Sequence, residues 1–256
     1  MALKLVSGQK AHYSFHRSTS PSADHLLLVH GAGGNHQHWG AAVRRLADAN
    51  TYALDLPGHG RSAGAGRRSV SEYATFVVQF MDAMGIERGV VAGHSMGGAI
   101  ALSAALDKPG RVAGLVLVGT GARLRVLPTI LEGTLTDWPA TAQLVCQYAY
   151  SSKAPAALVQ LGQRQMLAVP GETVHDDFAA CNDFDVTNRL GEIRCPTLVL
   201  CGTEDNLTPP KYSAFLAEQI HGARLRLIEK AGHMVMIEKE REVAEAISEW
   251  LRQCLS

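Results

Sequence analysis

A serine with the spacing of a catalytic nucleophile lies in the segment Gly93-His94-Ser95-Met96-Gly97-Gly98. The segment matches G-x-S-x-G, follows an apolar run and opens a helical pattern, which is the context this motif requires. Glycines two positions either side of the serine permit a sharp strand-to-helix turn because they have no Cβ to collide. Such a turn exposes the hydroxyl and points the Met96 N–H at a developing oxyanion. We predict Ser95 as nucleophile and Met96 as an oxyanion donor; an ordinary glycine-rich turn is the other interpretation.

A serine hydroxyl attacks an acyl carbon quickly only when a base removes its proton, and His233 is our candidate base. It lies in Ala231-Gly232-His233-Met234, after the last strand candidate. A surface loop histidine is the competing interpretation. The imidazole also needs an acid on its other nitrogen, and Asp205 follows the fifth strand candidate. The adjacent Glu204 is the competing acid, and either residue also fits a turn or helix-cap role before Pro209.

The second oxyanion donor is expected in the loop His30-Gly31-Ala32-Gly33-Gly34, which follows the first strand candidate. Its glycines let the backbone approach a substrate carbonyl. The Ala32 N–H is our first choice and the Gly33 N–H our second. A phosphate cradle is disfavoured, because the loop lacks the Lys-Ser/Thr pair of a P-loop and the chain has no G-x-G-x-x-G.

These residues must be positioned by short apolar runs that alternate with longer helical patterns. Apolar runs of four to six residues are typical of a parallel sheet covered on both faces. The predicted strands are residues 26–29, 51–54, 89–92, 114–118, 197–200 and, near a sheet edge, 224–228. The predicted helices are residues 69–84, 96–106, 209–221 and 238–253. The alternation indicates a doubly wound α/β fold.

Residues 121–190 interrupt this alternation, since they contain helical fragments and no convincing buried strand. A structureless loop of that length is improbable. We interpret the segment as a helical lid over the carboxyl ends of the strands, where open α/β sheets bind ligands.

The chain resembles the α/β-hydrolase superfamily, specifically its capped serine esterase and lipase-like branch. The matching segments are residues 30–34, 55–62, 93–98, 202–209 and 232–233, in the family's order. The chain order Ser95, Asp205, His233 is also the family's. The resemblance implies a mostly parallel, doubly wound sheet with a helical cap inserted after the sixth strand. It implies a core of residues 1–120 and 191–256, a cap of residues 121–190, and an acyl-enzyme mechanism without cofactor or metal. Residues 55–62 have a structural role in such proteins.

The activity we expect is hydrolysis of carboxylic esters with small to medium acyl chains. A serine at the elbow disfavours the dehalogenases and epoxide hydrolases of this fold, which use an aspartate, and the dienelactone hydrolases, which use a cysteine. Several alternatives share the triad: a C–C bond hydrolase, a lactonase, a perhydrolase or a menaquinone-pathway lyase. A non-enzymatic ligand receptor on the same scaffold also remains open, because fold alone does not decide function.

Weaker candidates concern substrate binding and metal ligation. Arg123 and Arg125 follow the fourth strand candidate, where a solvated surface position is the favoured interpretation, but an arginine there could bind a substrate carboxylate. Residues that could line an acyl pocket, although core packing explains them equally well, are Leu131, Leu135, Trp138, Met166 and Met234. Of all these candidates, we assign substrate binding to Arg123, Trp138 and Met234. We interpret His36 and His38 as a surface turn rather than metal ligands, since no third ligand is near in sequence. His94 is interpreted as packed rather than catalytic.

Composition limits the partners. The 256 residues carry 24 basic and 24 acidic side chains, which argues against a nucleic-acid partner because such binding needs a basic face. The five cysteines are odd in number and form no C-x-x-C pair, so neither a disulfide framework nor a zinc site is expected. No apolar run is long enough to span a membrane. We therefore expect a cytoplasmic protein acting on a small-molecule ester, of undetermined oligomeric state.

Overall fold

The site is positioned by a single mixed sheet. The computed structural model describes residues 2–19 and 24–254, and within them eight strands form this sheet. The strands are β1 (Ala2–Val6), β2 (Gln9–His16), β3 (Asp24–Val29), β4 (Ala49–Leu54), β5 (Gly89–His94), β6 (Val112–Val118), β7 (Thr197–Gly202) and β8 (Arg224–Ile228). Met1, residues 20–23 and residues 255–256, which the predicted core domain includes, lie outside the described residues.

The strand order is β1-β2-β4-β3-β5-β6-β7-β8. The β1–β2 and β2–β4 pairs are antiparallel, whereas every pair from β4 to β8 is parallel. The chain therefore changes winding direction between β3 and β5. In open α/β sheets a crevice forms at such a switch point, beyond the carboxyl ends of the strands. The loop after β3 and the turn after β5 both end in that crevice.

The six predicted strands are confirmed, but the sequence analysis missed β1 and β2. In β1, Leu3 and Leu5 face solvent at the sheet edge, so no continuous apolar run marks the strand. In β2, the apolar positions are interrupted by polar residues such as His12, whose ring is buried against Asp55. Such a strand has no clear single-face pattern.

Helices cover both faces of the sheet. Four more helices form the segment between β6 and β7. In chain order, the helices are α1 (Ala41–Arg44), α2 (Val70–Met84), α3 (Met96–Asp107), α4 (Pro128–Thr136), α5 (Trp138–Ala149), α6 (Ala156–Leu167), α7 (Gly171–Asp183), α8 (Pro210–Gln219), α9 (Val235–Glu238) and α10 (Glu240–Cys254). The predicted ends of α2 are confirmed. The Ser69 Oγ accepts the Glu72 N–H at 3.2 Å, and Gly85 ends the helix at φ 71°.

Successive strand residues pack on opposite faces. Leu27 and Val29 join the core under α2 and α3, whereas Leu26 and Leu28 join the core under α10. Because both faces are buried, the strands read as continuous apolar runs, as predicted.

The insertion after the sixth strand is confirmed. In the fully described segment between β6 and β7, the chain forms α4 to α7 and then a short 3₁₀ helix, Thr187–Glu192. These helices have a small core of their own, formed by Ala142, Val145, Cys146 and Met166 with the partly buried Trp138 and Phe178 among its neighbours. No helix in the described part of the chain is both long and apolar enough to cross a membrane.

Candidate active site

Ser95 lies in a strained turn between β5 and α3, at φ 54° and ψ −118°. A non-glycine residue at such a φ costs on the order of 1–3 kcal/mol and persists only where its surroundings enforce it. The turn is tightly packed and needs glycine at two positions. A Cβ on Gly93 would lie 1.9 Å from the Gly97 carbonyl oxygen, and a Cβ on Gly97 would lie 2.3 Å from the Val29 carbonyl oxygen. The strand–turn–helix context predicted for G-x-S-x-G is therefore present.

His233 and Asp205 form a buried pair. The His233 Nδ1 lies 2.9 Å from the Asp205 Oδ2, and both side chains are almost wholly inaccessible to solvent. The Asp205 Oδ1 also accepts the N–H groups of Leu207 and Thr208, at 2.9 and 2.8 Å. Burial raises the pKa of Asp205, but the attraction of His233 and the hydrogen bonds from His233 and Thr208 outweigh it and lower that pKa. The carboxylate therefore stays ionised and holds the imidazole by Nδ1, leaving Nε2 for a partner.

The competing acid, Glu204, is directed elsewhere. Its Oε2 accepts the Ser152 N–H at 3.1 Å and the Ser152 hydroxyl at 3.0 Å. Ser152 follows α5, so this carboxylate binds the inserted helical segment instead of His233. Of the two adjacent acids, the one that pairs with the histidine is Asp205.

Two amides of the glycine-rich loop after β3 already have acceptors. The Gly33 N–H donates to the Asp177 Oδ2 at 2.8 Å, and the Gly34 N–H donates to the Gly31 carbonyl at 3.1 Å. Our second choice for the oxyanion donor, Gly33, is thus already bonded, which favours Ala32. Met96 is the first residue of α3, where backbone N–H groups have no intrahelical acceptor. The roles of Ala32 and Met96 remain predictions.

Two chambers meet at Ser95 beneath the inserted helices. The smaller has a volume of about 60 Å³ and the larger of about 480 Å³. Both are lined by Ala32, Ser95, Val145, Phe178, Leu207 and His233. The smaller chamber extends to the buried His94 and Met166, whereas the larger ends at the exposed residues Arg125 and Tyr148. A substrate centred on Ser95 would therefore place one group in a small space lined mostly by buried residues and the other in a larger space that ends at exposed side chains.

Of the three residues predicted to bind substrate, one lines a chamber and two do not. Met234 lines the smaller chamber. Among the described residues that line the two chambers, neither Trp138 nor Arg123 occurs. The Trp138 indole N–H donates to the Val169 carbonyl at 3.1 Å, which holds the ring within the inserted helices.

Arg123 forms a β-bridge with Asp185, and its guanidinium makes an ion pair of 3.5 Å with the Asp185 carboxylate. Both side chains are about half exposed. Arg125, two residues on, lies on the wall of the larger chamber instead. The position predicted for Arg123 is therefore taken by Arg125. The sequence suggested both arginines, and choosing Arg123 overlooked its pairing with Asp185, 62 positions away in the chain.

His94 packs beneath the site, as expected. Its Nε2 donates to the His233 carbonyl at 3.0 Å, and the two rings are 4.5 Å apart. Burial, together with the nearby His233, lowers the pKa of His94 well below its usual value, so the ring is neutral.

The surface turn predicted for His36 and His38 is wrong, since both are buried in a 3₁₀ helix. Within the described residues, His36, His12 and Asp55 have potential metal ligands within 4.8 Å of one another. However, both Nδ1 atoms already lie 2.8 and 2.7 Å from the Asp55 carboxylate. That carboxylate also accepts the His36 and Arg61 amides, so hydrogen bonds fill its lone pairs. This set fits a structural network better than a metal site, in agreement with the structural role implied for residues 55–62.

Comparisons with known proteins agree with this geometry. The family model described as "Alpha/beta hydrolase family" matches residues 26–246. The chain therefore belongs to the α/β-hydrolase family, a family of hydrolases.

Three similar proteins illustrate the range of activities. A solved structure of a thermophilic esterase is 35% identical, with a TM-score of 0.88, and the match covers 99% of this chain and 97% of that chain. A putative carbamate hydrolase RutD of Azorhizobium caulinodans is 32% identical, with 87% of each chain covered. A 2-hydroxy-6-oxo-6-phenylhexa-2,4-dienoate hydrolase of Comamonas testosteroni is 27% identical, with 98% of this chain and 95% of that one covered.

Proposed function

We propose that this protein is a serine hydrolase that cleaves carboxylic esters of small to medium acyl chain. The observation that carries the proposal is that a strained Ser95 lines the same two chambers as His233, which is paired with the buried Asp205. The likeness to a thermophilic esterase over almost the whole chain supports it.

In this mechanism the Ser95 hydroxyl attacks the ester carbonyl while the His233 Nε2 accepts its proton. Asp205 holds the imidazole in the required tautomer and stabilises the imidazolium. The N–H groups of Ala32 and Met96 donate to the tetrahedral oxyanion. His233 then protonates the departing alcohol, and a water molecule activated by His233 releases the acid from the acyl-enzyme. These groups supply the nucleophile, the base and the oxyanion donors without a cofactor.

The two chambers divide the substrate. The acyl group stays bound to Ser95 after the first step, whereas the alcohol must leave. We therefore assign the acyl group to the smaller chamber and the alcohol to the larger one, which ends at exposed side chains. Residues 121–190 act as a cap that limits water access and the size of the acyl group.

The test is hydrolysis of p-nitrophenyl esters from acetate to palmitate by the wild type and by Ser95→Ala. We expect turnover that is highest at short or medium chains and falls at least about a thousandfold in Ser95→Ala. Circular dichroism should show that the variant is folded. Wild-type turnover no higher than that of Ser95→Ala on every chain length would contradict the proposal.

A second candidate is C–C bond hydrolysis on the same triad. Arg125 on the wall of the larger chamber could bind a substrate carboxylate, and the Comamonas relative is named as a dienoate hydrolase. The discriminating assay is loss of dienoate absorbance with 2-hydroxy-6-oxo-6-phenylhexa-2,4-dienoate. Turnover of this compound that exceeds ester turnover, and that falls in Arg125→Gln, would favour the second candidate.

A further inference from the structure

One buried carboxylate, that of Asp177, joins the inserted helices to the core. Asp177, on α7, is wholly buried and accepts three short hydrogen bonds. Its Oδ2 accepts the Gly33 N–H and the His59 Nε2–H, each at 2.8 Å, and its Oδ1 accepts the Tyr73 hydroxyl at 2.6 Å. The three donors come from the loop after β3, the loop after β4, and α2. The carboxylate therefore binds three separate parts of the core at once.

The hydrogen-bond partners define the charges in this cluster. The His59 Nδ1 lies 3.0 Å from the Pro57 carbonyl and its Nε2 lies against Asp177, so both ring nitrogens face acceptors and both carry hydrogen. His59 is thus held as an imidazolium. A buried carboxylate is stable only when paired and hydrogen-bonded, and Asp177 satisfies both conditions through core partners alone. If α7 moved away, Asp177 and all three donors would lose these partners.

One of the three bonds is next to the proposed oxyanion donor. The Gly31 carbonyl and the Ala32 N–H belong to one trans peptide unit, so they point in opposite directions. The carbonyl accepts hydrogen bonds from the Gly34 N–H at 3.1 Å and the His30 Nδ1 at 2.8 Å, which fixes one side of that unit. The following peptide unit, which carries the Gly33 N–H, is fixed by Asp177. The orientation of the Ala32 N–H is therefore set from both sides, one of them by α7.

We propose that Asp177 is a positioning residue that couples docking of α7 to formation of the oxyanion hole. With α7 docked, the carboxylate keeps the Gly33 N–H away from the substrate and holds the Ala32 N–H ready for it. With α7 displaced, the glycine-rich loop loses one of its two anchors. The inference rests on the proposed function, because it concerns how fast Ser95 forms a tetrahedral intermediate.

The test compares Asp177→Asn with Asp176→Asn, using p-nitrophenyl acetate. Asp176 is the adjacent residue, partly exposed, and pairs with Arg68 at 3.3 Å. An asparagine at 177 presents an N–H₂ group to donors that need an acceptor, so the loop geometry should change. We expect kcat per titrated active site to fall about tenfold to a hundredfold in Asp177→Asn with KM changed less than about twofold. Asp176→Asn should match the wild type.

A third variant separates positioning from stability. Tyr73→Phe removes the hydrogen bond to Oδ1 and the acceptor of the Arg67 N–H, but it leaves the Gly33 bond on Oδ2. We expect it to lower the unfolding temperature while kcat stays within about twofold of wild type. If Asp177 has only a structural role, Asp177→Asn and Tyr73→Phe should both be less stable and both keep the wild-type kcat per titrated site. That result would overturn the inference.

Ser95→Ala assayed in parallel separates this inference from the proposed function. If Ser95→Ala is as active as the wild type, the proposed function is wrong. If Ser95→Ala is inactive and Asp177→Asn keeps wild-type kcat, only the inference fails.

Should Asp177→Asn not fold, hydrogen exchange on the wild-type protein tests the coupling. If α7 holds the glycine-rich loop in place, the Gly33 amide should exchange at the same rate as the α7 amides. Protection of Gly33 that persists while α7 exchanges would overturn the inference.

Discussion

The Nδ1 of His233 lies 2.9 Å from the Asp205 carboxylate, whereas Glu204, the preceding acid, accepts two hydrogen bonds from Ser152. Two adjacent carboxylates of the same charge thus have different partners. One orients the candidate base, and the other joins the core to the segment after α5.

This difference predicts opposite results for two matched variants. In Asp205→Asn the amide nitrogen can donate to Nδ1 and favour the wrong tautomer, so kcat for p-nitrophenyl acetate should fall on the order of 10⁴-fold. Glu204→Gln should leave kcat within about twofold and lower the free energy of unfolding by at most about 1 kcal/mol. A larger loss of kcat in Glu204→Gln than in Asp205→Asn would reverse the assignment.

The elbow should not tolerate a methyl group. A Cβ on Gly93 would lie 1.9 Å from the Gly97 carbonyl, so Gly93→Ala forces the backbone apart. We expect the free energy of unfolding in urea to fall by at least about 3 kcal/mol. Gly110→Ala is the matched control, because a Cβ there would meet nothing within 4 Å, and it should change stability by less than about 0.5 kcal/mol. Equal stability of the two variants would show that the turn relaxes.

The smaller chamber should control acyl length. Met166 is buried in its wall, and Met166→Ala would enlarge it. One added methylene in a fitted apolar pocket is worth roughly tenfold or more in kcat/KM, so the ratio of hexanoate to acetate hydrolysis should rise at least about tenfold. Leu167→Ala removes a similar volume from the neighbouring exposed position and should leave the ratio unchanged. If the ratio stays constant in Met166→Ala, the acyl group occupies the other chamber.

The network around Asp55 should make stability depend on acidity. Burial raises the pKa of Asp55, but the hydrogen bonds from the His36 side chain and from the His36 and Arg61 amides outweigh it and lower that pKa below its ordinary value of 3.8. A carboxyl with a lowered folded pKa contributes stability above its unfolded pKa and loses it as the pH falls toward the folded value.

The measurement is urea unfolding of the wild type and Asp55→Asn from about pH 7 to about pH 3. The wild type should be more stable by a constant amount near neutral pH. That difference should shrink below the ordinary carboxyl value of 3.8. A difference that does not change with pH would mean that the charge of Asp55 does not contribute.

The amino-acid sequence by itself determined the features that depend on near neighbours. The G-x-S-x-G spacing determines the elbow because the collision that Gly93 avoids is with Gly97, four residues along the chain. Apolar runs determine the six buried strands, since both faces of a covered parallel strand must be apolar. Ser69 and Gly85 determine the ends of α2, because capping involves residues three or four apart.

Only the tertiary structure decided the choices that depend on residues distant in the chain. Asp205 is distinguished from Glu204 by His233, and Arg125 from Arg123 by Asp185. The same applies to features that carried no local signal: the edge strand β1, the burial of His36 and His38, and the three hydrogen bonds of Asp177. Asp177 lies inside a helix and belongs to no motif, and its partners are 104 to 144 positions away. A carboxylate whose partners are that distant can be assigned only when the packed helices bring them within hydrogen-bonding distance.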